Sequence, residues 1–201
     1  MKRFLLTILV LFGLNSCVFG FGIKKDVPIQ DDTISQQAKV YYAQNQIDEA
    51  LNILASKPEE DRSAQDWLLI GNIMQDKDKI DDAVYMFNQS INKDPKYYKA
   101  HYNLGYIYLI QEKPNLALSE FKQAVKYKPD FAYGYYNIGC AYLKLGKYST
   151  AKYNFFKALD LKANEPNIYY NLAYSFKMMG KEKQAQSYLD LYNKMIEDHE
   201  L

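Results

Sequence analysis

A repeat with a period of 34 residues is the feature that most constrains how this chain folds. HYNLGYIYL at 101–109 returns as YYNIGCAYL at 135–143 and as YYNLAYSFK at 169–177, and a weaker copy, WLLIGNIMQ, lies at 67–75. A period of this length is typical of stacked helical hairpins, in which each unit contacts only its neighbours. We therefore predict an elongated all-α array that holds a partner on an extended surface, without a single enclosed pocket.

The charge balance argues against a nucleic-acid partner. The chain has 201 residues, with 25 Lys and Arg against 24 Asp and Glu, so its net charge is +1. Proteins that bind nucleic acid ordinarily carry a basic stripe or patch. Hydrophobic residues make up 48% of the chain, which is enough for the core of one medium-sized domain.

The first sixteen residues have the pattern of an export signal. Lys2 and Arg3 precede an apolar run at 4–14. Eleven helical residues span about 16 Å, whereas the hydrocarbon core of a bilayer is about 30 Å thick. We predict that residues 1–16 are a signal peptide and that this run is too short to be a membrane anchor.

The end of this segment, Leu14-Asn15-Ser16-Cys17, resembles the lipobox of bacterial lipoproteins. The resemblance implies that Cys17 becomes a lipidated N-terminus and that residues 17–30 hold the anchor cysteine and a linker. Asn15 departs from the pattern, since that position is usually small or apolar. The alternative is ordinary cleavage after Gly20 or Gly22, which would release a soluble periplasmic or secreted protein.

From residue 31 onward, each repeat contains two amphipathic segments, which we name helix A and helix B. The small residue of helix A recurs as Ala38, Gly71, Gly105, Gly139 and Ala173, and that of helix B as Ala50, Ala83, Ala117, Ala151 and Ala185. A glycine inside a helix costs about 1 kcal/mol relative to alanine, so its recurrence requires a packing reason. We predict close contact between helices A and B at Gly105 and Gly139, and we expect Pro95 and Pro129 to end B helices.

This pattern resembles the tetratricopeptide repeat (TPR) family over residues 31–199. The resemblance implies a right-handed superhelix, a TPR solenoid of about five helix-turn-helix repeats. The repeat ranges are 31–63, 64–97, 98–131, 132–165 and 166–199. Gln186 and Asn193 replace the apolar residues that pack against the next hairpin in earlier repeats, so we expect no sixth repeat.

No constellation of residues favours catalysis or metal binding. The two histidines have no partners at metal-ligand spacing, and there is no Gly-rich phosphate loop. His101 occupies a packing position of helix A, and Cys140 reads as a small apolar filler within a helix. Asp48-Glu49 and Asp81-Asp82 fall at the starts of B helices, where acidic residues are stabilising. We predict that the protein is not an enzyme and needs no cofactor.

The candidate binding residues lie on the A helices, which in TPR proteins line the concave face and often bind extended peptides. The candidates are Asn103, Asn137, Asn171, Tyr102, Tyr136, Tyr170, Tyr106, Tyr174, Lys99, Lys144 and Lys177. An asparagine offers both a donor and an acceptor to a peptide backbone, and tyrosine offers contact area with a hydroxyl. We expect the three asparagines to be solvent-exposed in the groove, so that their replacement hardly affects folding. The cationic residues of the chaperone-binding carboxylate clamp known in some TPR domains are absent here, since Leu68, Tyr133 and Asn137 stand in their places.

The candidate binding residues and the lipobox-like motif together favour a protein-binding adaptor in the bacterial cell envelope, attached to a membrane through lipid on Cys17. One alternative is an envelope assembly factor that uses its outer faces, like the pilotins and outer-membrane assembly lipoproteins with TPR folds. Another alternative is an accessory subunit of an envelope enzyme. Both alternatives rest on architecture and the lipobox alone.

Overall fold

A computed structural model describes residues 33–163 and 165–199, and within this part of the chain all regular structure is helical. We number the α-helices α1 to α10 in chain order. They are α1 Thr33–Ala43, α2 Ile47–Ala55, α3 Ala64–Asp76, α4 Ile80–Lys93, α5 Tyr98–Ile110, α6 Pro114–Tyr127, α7 Ala132–Lys144, α8 Tyr148–Asp160, α9 Pro166–Met178 and α10 Glu182–His199. A short 3-10 helix, Glu59–Asp61, lies between α2 and α3.

The ten helices form five pairs, one in each predicted repeat range. The odd-numbered helices are the A helices and the even-numbered ones the B helices. Each A helix packs against the B helix that follows it, and each B helix contacts the next A helix. The A helices of repeats 1 and 2, 3 and 4, and 4 and 5 also contact one another, as they do along the inner side of a superhelix. The prediction of a TPR solenoid is confirmed, with the A helices on the inner face.

Two residues after the end of each A helix, the chain has a residue with left-handed backbone geometry. These residues are Asn45, Asp78, Glu112, Gly146 and Gly180, with φ between 57° and 72°. The amide of the following residue then donates back to a carbonyl five residues earlier, as Lys79 does to Met74 and Lys147 does to Tyr142, at 2.8 and 2.9 Å. This bond satisfies a free carbonyl at the end of the helix and turns the chain into helix B.

The predicted close contact between helices A and B is confirmed. A Cβ built on Gly139 would lie 2.5 Å from the ring of Phe155, and one on Gly105 would lie 2.8 Å from the ring of Phe121. The contact is mainly with these phenylalanines, which lie one turn beyond Ala117 and Ala151, the small residues of helix B. The Ala117 carbonyl oxygen also lies 3.2 Å from the Cβ position at Gly105. The glycines are therefore required because a fully buried aromatic ring occupies the space of their side chain.

We expect Gly139→Ala to destabilise the protein by about 1–3 kcal/mol, because the added methyl group overpacks the contact with Phe155. Thermal and denaturant unfolding would measure the loss. Ser149→Ala on the exposed side of α8 is a matched control that adds no contact. Equal stability of the two variants would show that the ring of Phe155 moves aside without cost.

The B helices before the two predicted proline stops end as expected. α4 ends at Lys93 and α6 at Tyr127, each two residues before a proline. Acidic residues occupy the first turns of α2 and α4, the positions predicted for Asp48-Glu49 and Asp81-Asp82.

At the C-terminal end of the array, α10 carries residues that differ from those of the earlier B helices. Tyr192 stands where Ser90, Ala124 and Ala158 are fully buried in the preceding repeats, and its ring packs against Tyr170 with centroids 5.3 Å apart. Asn193 is exposed. Gln186, the other polar residue of the predicted terminal surface, is half-buried.

The predicted signal peptide, the lipidation site Cys17 and the linker lie outside the described residues. Over 33–163 and 165–199, none of the helices has the length and apolar character needed to cross a membrane.

Candidate functional site

The three asparagines of the repeat are buried, so the prediction that they are exposed in a groove is wrong. The exposed fractions of Asn103, Asn137 and Asn171 are 5%, 0% and 0%. The Asn137 side-chain amide donates to the Tyr102 hydroxyl at 2.8 Å, and the Asn171 amide donates to the Tyr136 hydroxyl at 3.3 Å. Each of these bonds joins one A helix to the next.

Tyr102 and Tyr136 are likewise buried, which corrects their predicted place on an accessible surface. Each ring packs against the phenylalanine of its own B helix, with centroids 5.8 Å apart for Tyr102 and Phe121 and also for Tyr136 and Phe155. Burial raises the pKa of Tyr102 far above its usual value, and the Asn137 hydrogen bond offsets only part of this rise. We call the two Asn–Tyr pairs, Asn137 with Tyr102 and Asn171 with Tyr136, the inter-repeat seam.

The first asparagine has a different partner. Position 68, which corresponds to Tyr102, is a leucine. The Asn103 amide instead donates to the side-chain oxygen of Asn72 at 2.6 Å. Asn72 is only half-buried. The seam accordingly begins at the interface between repeats 3 and 4.

The remaining predicted residues differ in their accessibility. Tyr174 is buried, whereas Tyr106, Tyr170, Lys99, Lys144 and Lys177 are half-buried. Lys144 forms a 2.7 Å ion pair with Glu112, the residue in the turn after α5. Burial, together with Tyr192 and Tyr174, raises the pKa of Tyr170 to about 12, so its hydroxyl stays protonated. The buried hydroxyl oxygen of Tyr170 has no hydrogen-bond partner.

Sequence reasoning did not select Tyr133, which is the most exposed aromatic residue on the described A helices at 37%. It lies at the second position of its repeat, the position that Lys99 holds in the repeat before. That correspondence was available in the sequence and could have identified it. Of the predicted tyrosines, Tyr106 and Tyr170 stay partly exposed, and we call them, together with Tyr133, Lys99, Lys144 and Lys177, the inner-face patch.

His101 is buried as a packing residue, as predicted, and it is also held by two hydrogen bonds. Its Nδ1 lies 2.7 Å from a Glu120 carboxylate oxygen, and its Nε2 lies 3.0 Å from the Pro95 carbonyl oxygen. Both partners are acceptors, so both ring nitrogens donate, which requires the imidazolium form. Burial by itself lowers the pKa of His101, but Glu120, the Pro95 carbonyl and Asp94 outweigh it and raise the pKa.

We expect the protein to be more stable at pH 5 than at pH 8 because of His101. A pKa raised in the folded state contributes stability that is fully present below the unfolded value of about 6.5 and is lost as pH rises through the folded value. His101→Gln should reduce this dependence of the melting temperature on pH. Identical pH profiles for the original protein and the variant would contradict the assignment of an imidazolium.

The first repeat is joined to the second by a buried polar cluster. The Lys57 ammonium lies 2.9 Å from a carboxylate oxygen of Asp66 at the start of α3, and the Ser35 hydroxyl of α1 donates to the other oxygen. The Ser63 backbone amide donates to Asp66 at 2.8 Å, completing a capping box. Burial alone raises the pKa of Asp66, but the hydrogen bonds from Ser35, Lys57 and Ser63 outweigh it and lower the pKa.

Cys140 is a buried free thiol in α7, at 3.9 Å from the Asn171 amide. Among the residues that the structure describes, no three or more His, Cys, Asp or Glu side chains are placed to hold a metal ion. The arrangement of the described residues offers surfaces for contact, and its buried polar groups serve packing between repeats.

Comparison with known proteins agrees with the geometry. Residues 105–146 and 139–180 match a family described as TPR repeat, and residues 86–119 match a family described as Tetratricopeptide repeat. The chain has the fold of a TPR solenoid, and residues 86–180 also match TPR families by sequence. No curated protein matches the sequence significantly.

Solved structures share this fold at low sequence identity. A crystal structure of MamA is 18% identical over 85% of this chain and 98% of that chain, with a TM-score of 0.73. A second MamA structure, labelled MSR-1, is 22% identical over 83% of this chain and 96% of that chain, with a TM-score of 0.69. The Pseudomonas aeruginosa protein PilF is 21% identical over 81% of this chain and 75% of that chain, with a TM-score of 0.72. At these identities the likeness establishes the solenoid architecture.

Proposed function

We propose that this protein is a scaffold that binds a segment of a protein partner along the inner face of its A helices. The observation that carries the proposal is the inner-face patch, in which Tyr106, Tyr133 and Tyr170 come from three successive repeats and keep part of their surface accessible. Tyrosine supplies a large, rigid contact area with a polar end, a combination suited to recognition. The buried seam beneath the patch fixes the spacing of these side chains and reduces the ordering cost of binding.

A photo-crosslinking amino acid placed at position 133 tests this proposal in intact cells. We expect it to capture a discrete protein partner, and we expect Tyr106→Ala to reduce that capture under conditions where thermal unfolding shows that the variant is folded. The matched control places the same crosslinker at position 153 on the outer side of α8, where Tyr153 is 67% exposed. Capture from position 153 alone would contradict binding on the inner face.

A second candidate function uses the outer faces, as an envelope assembly factor would. Tyr85 and Tyr153 are 55% and 67% exposed on the B helices α4 and α8, and Leu116 on α6 is also exposed. Exposed apolar residues are normal on soluble proteins, so these three by themselves do not require a partner. The crosslinking control at position 153 decides between the two candidates.

We further propose that the protein acts in the bacterial cell envelope, held to a membrane through lipid on Cys17. The proposal is supported by the signal-like segment 1–16 and the Leu14-Asn15-Ser16-Cys17 motif. Two or more acyl chains give stable attachment where a single chain gives only marginal binding. Mass spectrometry of the mature N-terminus is the test, and Cys17→Ala should abolish both lipid and processing at that site. An unmodified N-terminus at Phe21 or Ile23 would instead support the soluble periplasmic or secreted alternative.

A further inference from the structure

The turns that join helix A to helix B lie side by side along one edge of the array. We call this surface the A–B edge, and in each repeat it runs from the last residue of helix A to the third residue of helix B. Contacts between side chains connect the turns of repeats 1 and 2: the Tyr42 hydroxyl donates to Asp76 at 2.7 Å, and Lys77 lies 2.9 Å from Asp48. The ion pair between Lys144 and Glu112 connects repeats 3 and 4 in the same way. Charges on neighbouring turns therefore act together.

The net charge of the A–B edge changes sign from one end of the array to the other. In chain order, the five segments carry net charges of −2, −2, 0, +2 and +1, and they are 43–49, 76–82, 110–116, 144–150 and 178–184. Six exposed carboxylates oppose two exposed lysines in repeats 1 and 2; the carboxylates are Asp48, Glu49, Asp76, Asp78, Asp81 and Asp82. In repeats 4 and 5, Lys147, Lys181 and Lys183 are exposed, whereas Lys144 is half-buried against Glu112. The edge thus has an acidic half and a basic half.

Stabilisation of the B helices does not account for this division. An acidic residue in the first turn is favourable at the positive end of every helix. Only α2 and α4 carry two acidic residues there, while α6 and α8 carry none and α10 has Glu182 alone. Lys183 is the second residue of α10, where a cation is unfavourable. The basic half is therefore maintained against the preference of its own helix.

The acidic half also has a concave shape. An open cavity of about 680 Å³ lies between the turns of repeats 1 and 2. Its walls carry the carboxylates of Asp48, Glu49 and Asp76 together with the ammonium of Lys77. A lysine side chain, which places a compact charge at the end of a flexible stem, suits an acidic cavity of this kind.

From this distribution we propose that the A–B edge binds the A–B edge of a second copy of this chain in antiparallel orientation. A two-fold interface joins the same surface of both copies, so repeat 1 of each copy faces repeat 5 of the other. Repeat 3, whose segment has no net charge, lies on the axis. The acidic half then meets the basic half twice, and Lys181 and Lys183 of one copy reach the cavity beside Asp48 and Glu49 of the other. An edge of one sign throughout would repel its own copy, whereas this edge is complementary to itself.

The inference is independent of the proposed function, because Lys147, Lys181 and Lys183 lie outside the inner-face patch. Exposed ion pairs contribute little individually and are screened by salt. Association through this edge therefore depends on several pairs acting together and on ionic strength.

Analytical ultracentrifugation of the purified full chain tests the pairing. Cys17→Ala is included so that no lipid contributes to association. We expect a monomer–dimer equilibrium whose Kd rises about tenfold as the salt concentration increases from about 0.05 M to about 0.5 M.

Two charge-reversal variants locate the contact. One combines Asp48→Lys with Glu49→Lys in repeat 1, and the other combines Lys181→Glu with Lys183→Glu in repeat 5. Each should raise the dimer Kd about tenfold or more at low salt, because like charges then face each other at both contacts between repeats 1 and 5.

Mixing the two variants tests the orientation. In a mixed pair, the reversed repeat 1 of one copy faces the reversed repeat 5 of the other, and the second contact between repeats 1 and 5 is unaltered. We expect the equimolar mixture to form dimers with a Kd close to that of the original chain. As a matched control, Glu60→Lys with Asp61→Lys changes the net charge equally at exposed positions between α2 and α3, at the opposite ends of the helices, and should leave the Kd unchanged. Thermal unfolding establishes that each variant is folded.

Four outcomes would overturn the inference. The first is a chain that stays monomeric at low salt. The second is a dimer that persists in both reversed variants, which would place the contact elsewhere. The third is a loss of association in the control as large as in the reversed variants, which would show general charge attraction. The fourth is assembly beyond the dimer that mixing restores, which would indicate an open head-to-tail contact instead of a two-fold one.

Discussion

Replacing Asp66 with Ala should lower the free energy of unfolding by about 3–5 kcal/mol, the cost expected when one partner of a buried ion pair is removed. The exposed fractions of Lys57 and Asp66 are 8% and 0%. Asp66→Ala removes the carboxylate that lies 2.9 Å from the Lys57 ammonium, whose hydrogen bond to the Ser35 hydroxyl is longer, at 3.3 Å. The α2–α3 interface is also the smallest between successive repeats, so this polar cluster adds to an attachment of repeat 1 that rests otherwise on the apolar contacts of Ala38 and Leu54 with Trp67 and Ile70. Denaturant unfolding would measure the loss.

A surface ion pair of the same repeat provides the control. Lys77 and Asp48 are 2.9 Å apart, and the Asp48 side chain is largely exposed. Asp48→Ala should therefore cost no more than about 1 kcal/mol. The double variant Lys57→Met and Asp66→Leu removes both buried charges and should recover much of the loss. A cost for Asp66→Ala as small as that for Asp48→Ala would show that water reaches Lys57 and that the cluster does not fix repeat 1.

The second large effect is expected at the inter-repeat seam. Asn137→Ala and Asn171→Ala should each destabilise the protein by about 1–3 kcal/mol, because each leaves a buried tyrosine hydroxyl, on Tyr102 or Tyr136, without its donor. Since Asn137 connects repeat 4 to repeat 3 and Asn171 connects repeat 5 to repeat 4, the double variant should open the array at both interfaces of repeat 4 before global unfolding. Hydrogen exchange read repeat by repeat would detect this local opening.

Asn167→Ala is the matched control for the seam. Asn167 lies in the same helix as Asn171 and is half-buried, and its amide is 3.4 Å from the Glu165 carboxylate. Its loss should change the melting temperature by a much smaller amount. If the Asn137 and Asn171 variants instead keep full stability and lose partner binding, the original interpretation of the asparagines as a binding ladder is restored.

The sequence predicted the fold well because the repeat period reports local structure and nearest-neighbour packing. The spacing of Gly71, Gly105 and Gly139 predicted close contacts between helices, and each glycine faces the ring of a phenylalanine. The stops at Pro95 and Pro129 were also predicted, since a proline cannot continue a helix whatever its surroundings. The polar cluster around Asp66 was not predicted, because it combines Ser35, Lys57 and Asp66 from different elements of degenerate sequence.

The candidate site predicted from the same periodicity was wrong for the asparagines, which are buried. A period of 34 residues establishes that Asn103, Asn137 and Asn171 occupy equivalent positions, but it does not state which side of the helix meets the next repeat. Burial of these residues depends on the angle at which one A helix packs on the next, and that angle is set by side chains distant in sequence, such as Phe121 and Phe131 around Tyr102. Tyr133 is a different case, because its correspondence with Lys99 was available in the sequence, and only its exposed fraction of 37% required the structure.

By itself the sequence determined the helical repeats, their ends and their order, because hydrophobic period, glycine and proline act over a few residues. Only the tertiary structure decided which equivalent residues form the buried seam and which remain on the accessible inner face. The physical reason is that packing between repeats buries Asn103, Asn137 and Asn171, and a buried asparagine is stable only when a side chain of the preceding repeat accepts its hydrogen bond, as Asn72, Tyr102 and Tyr136 do here.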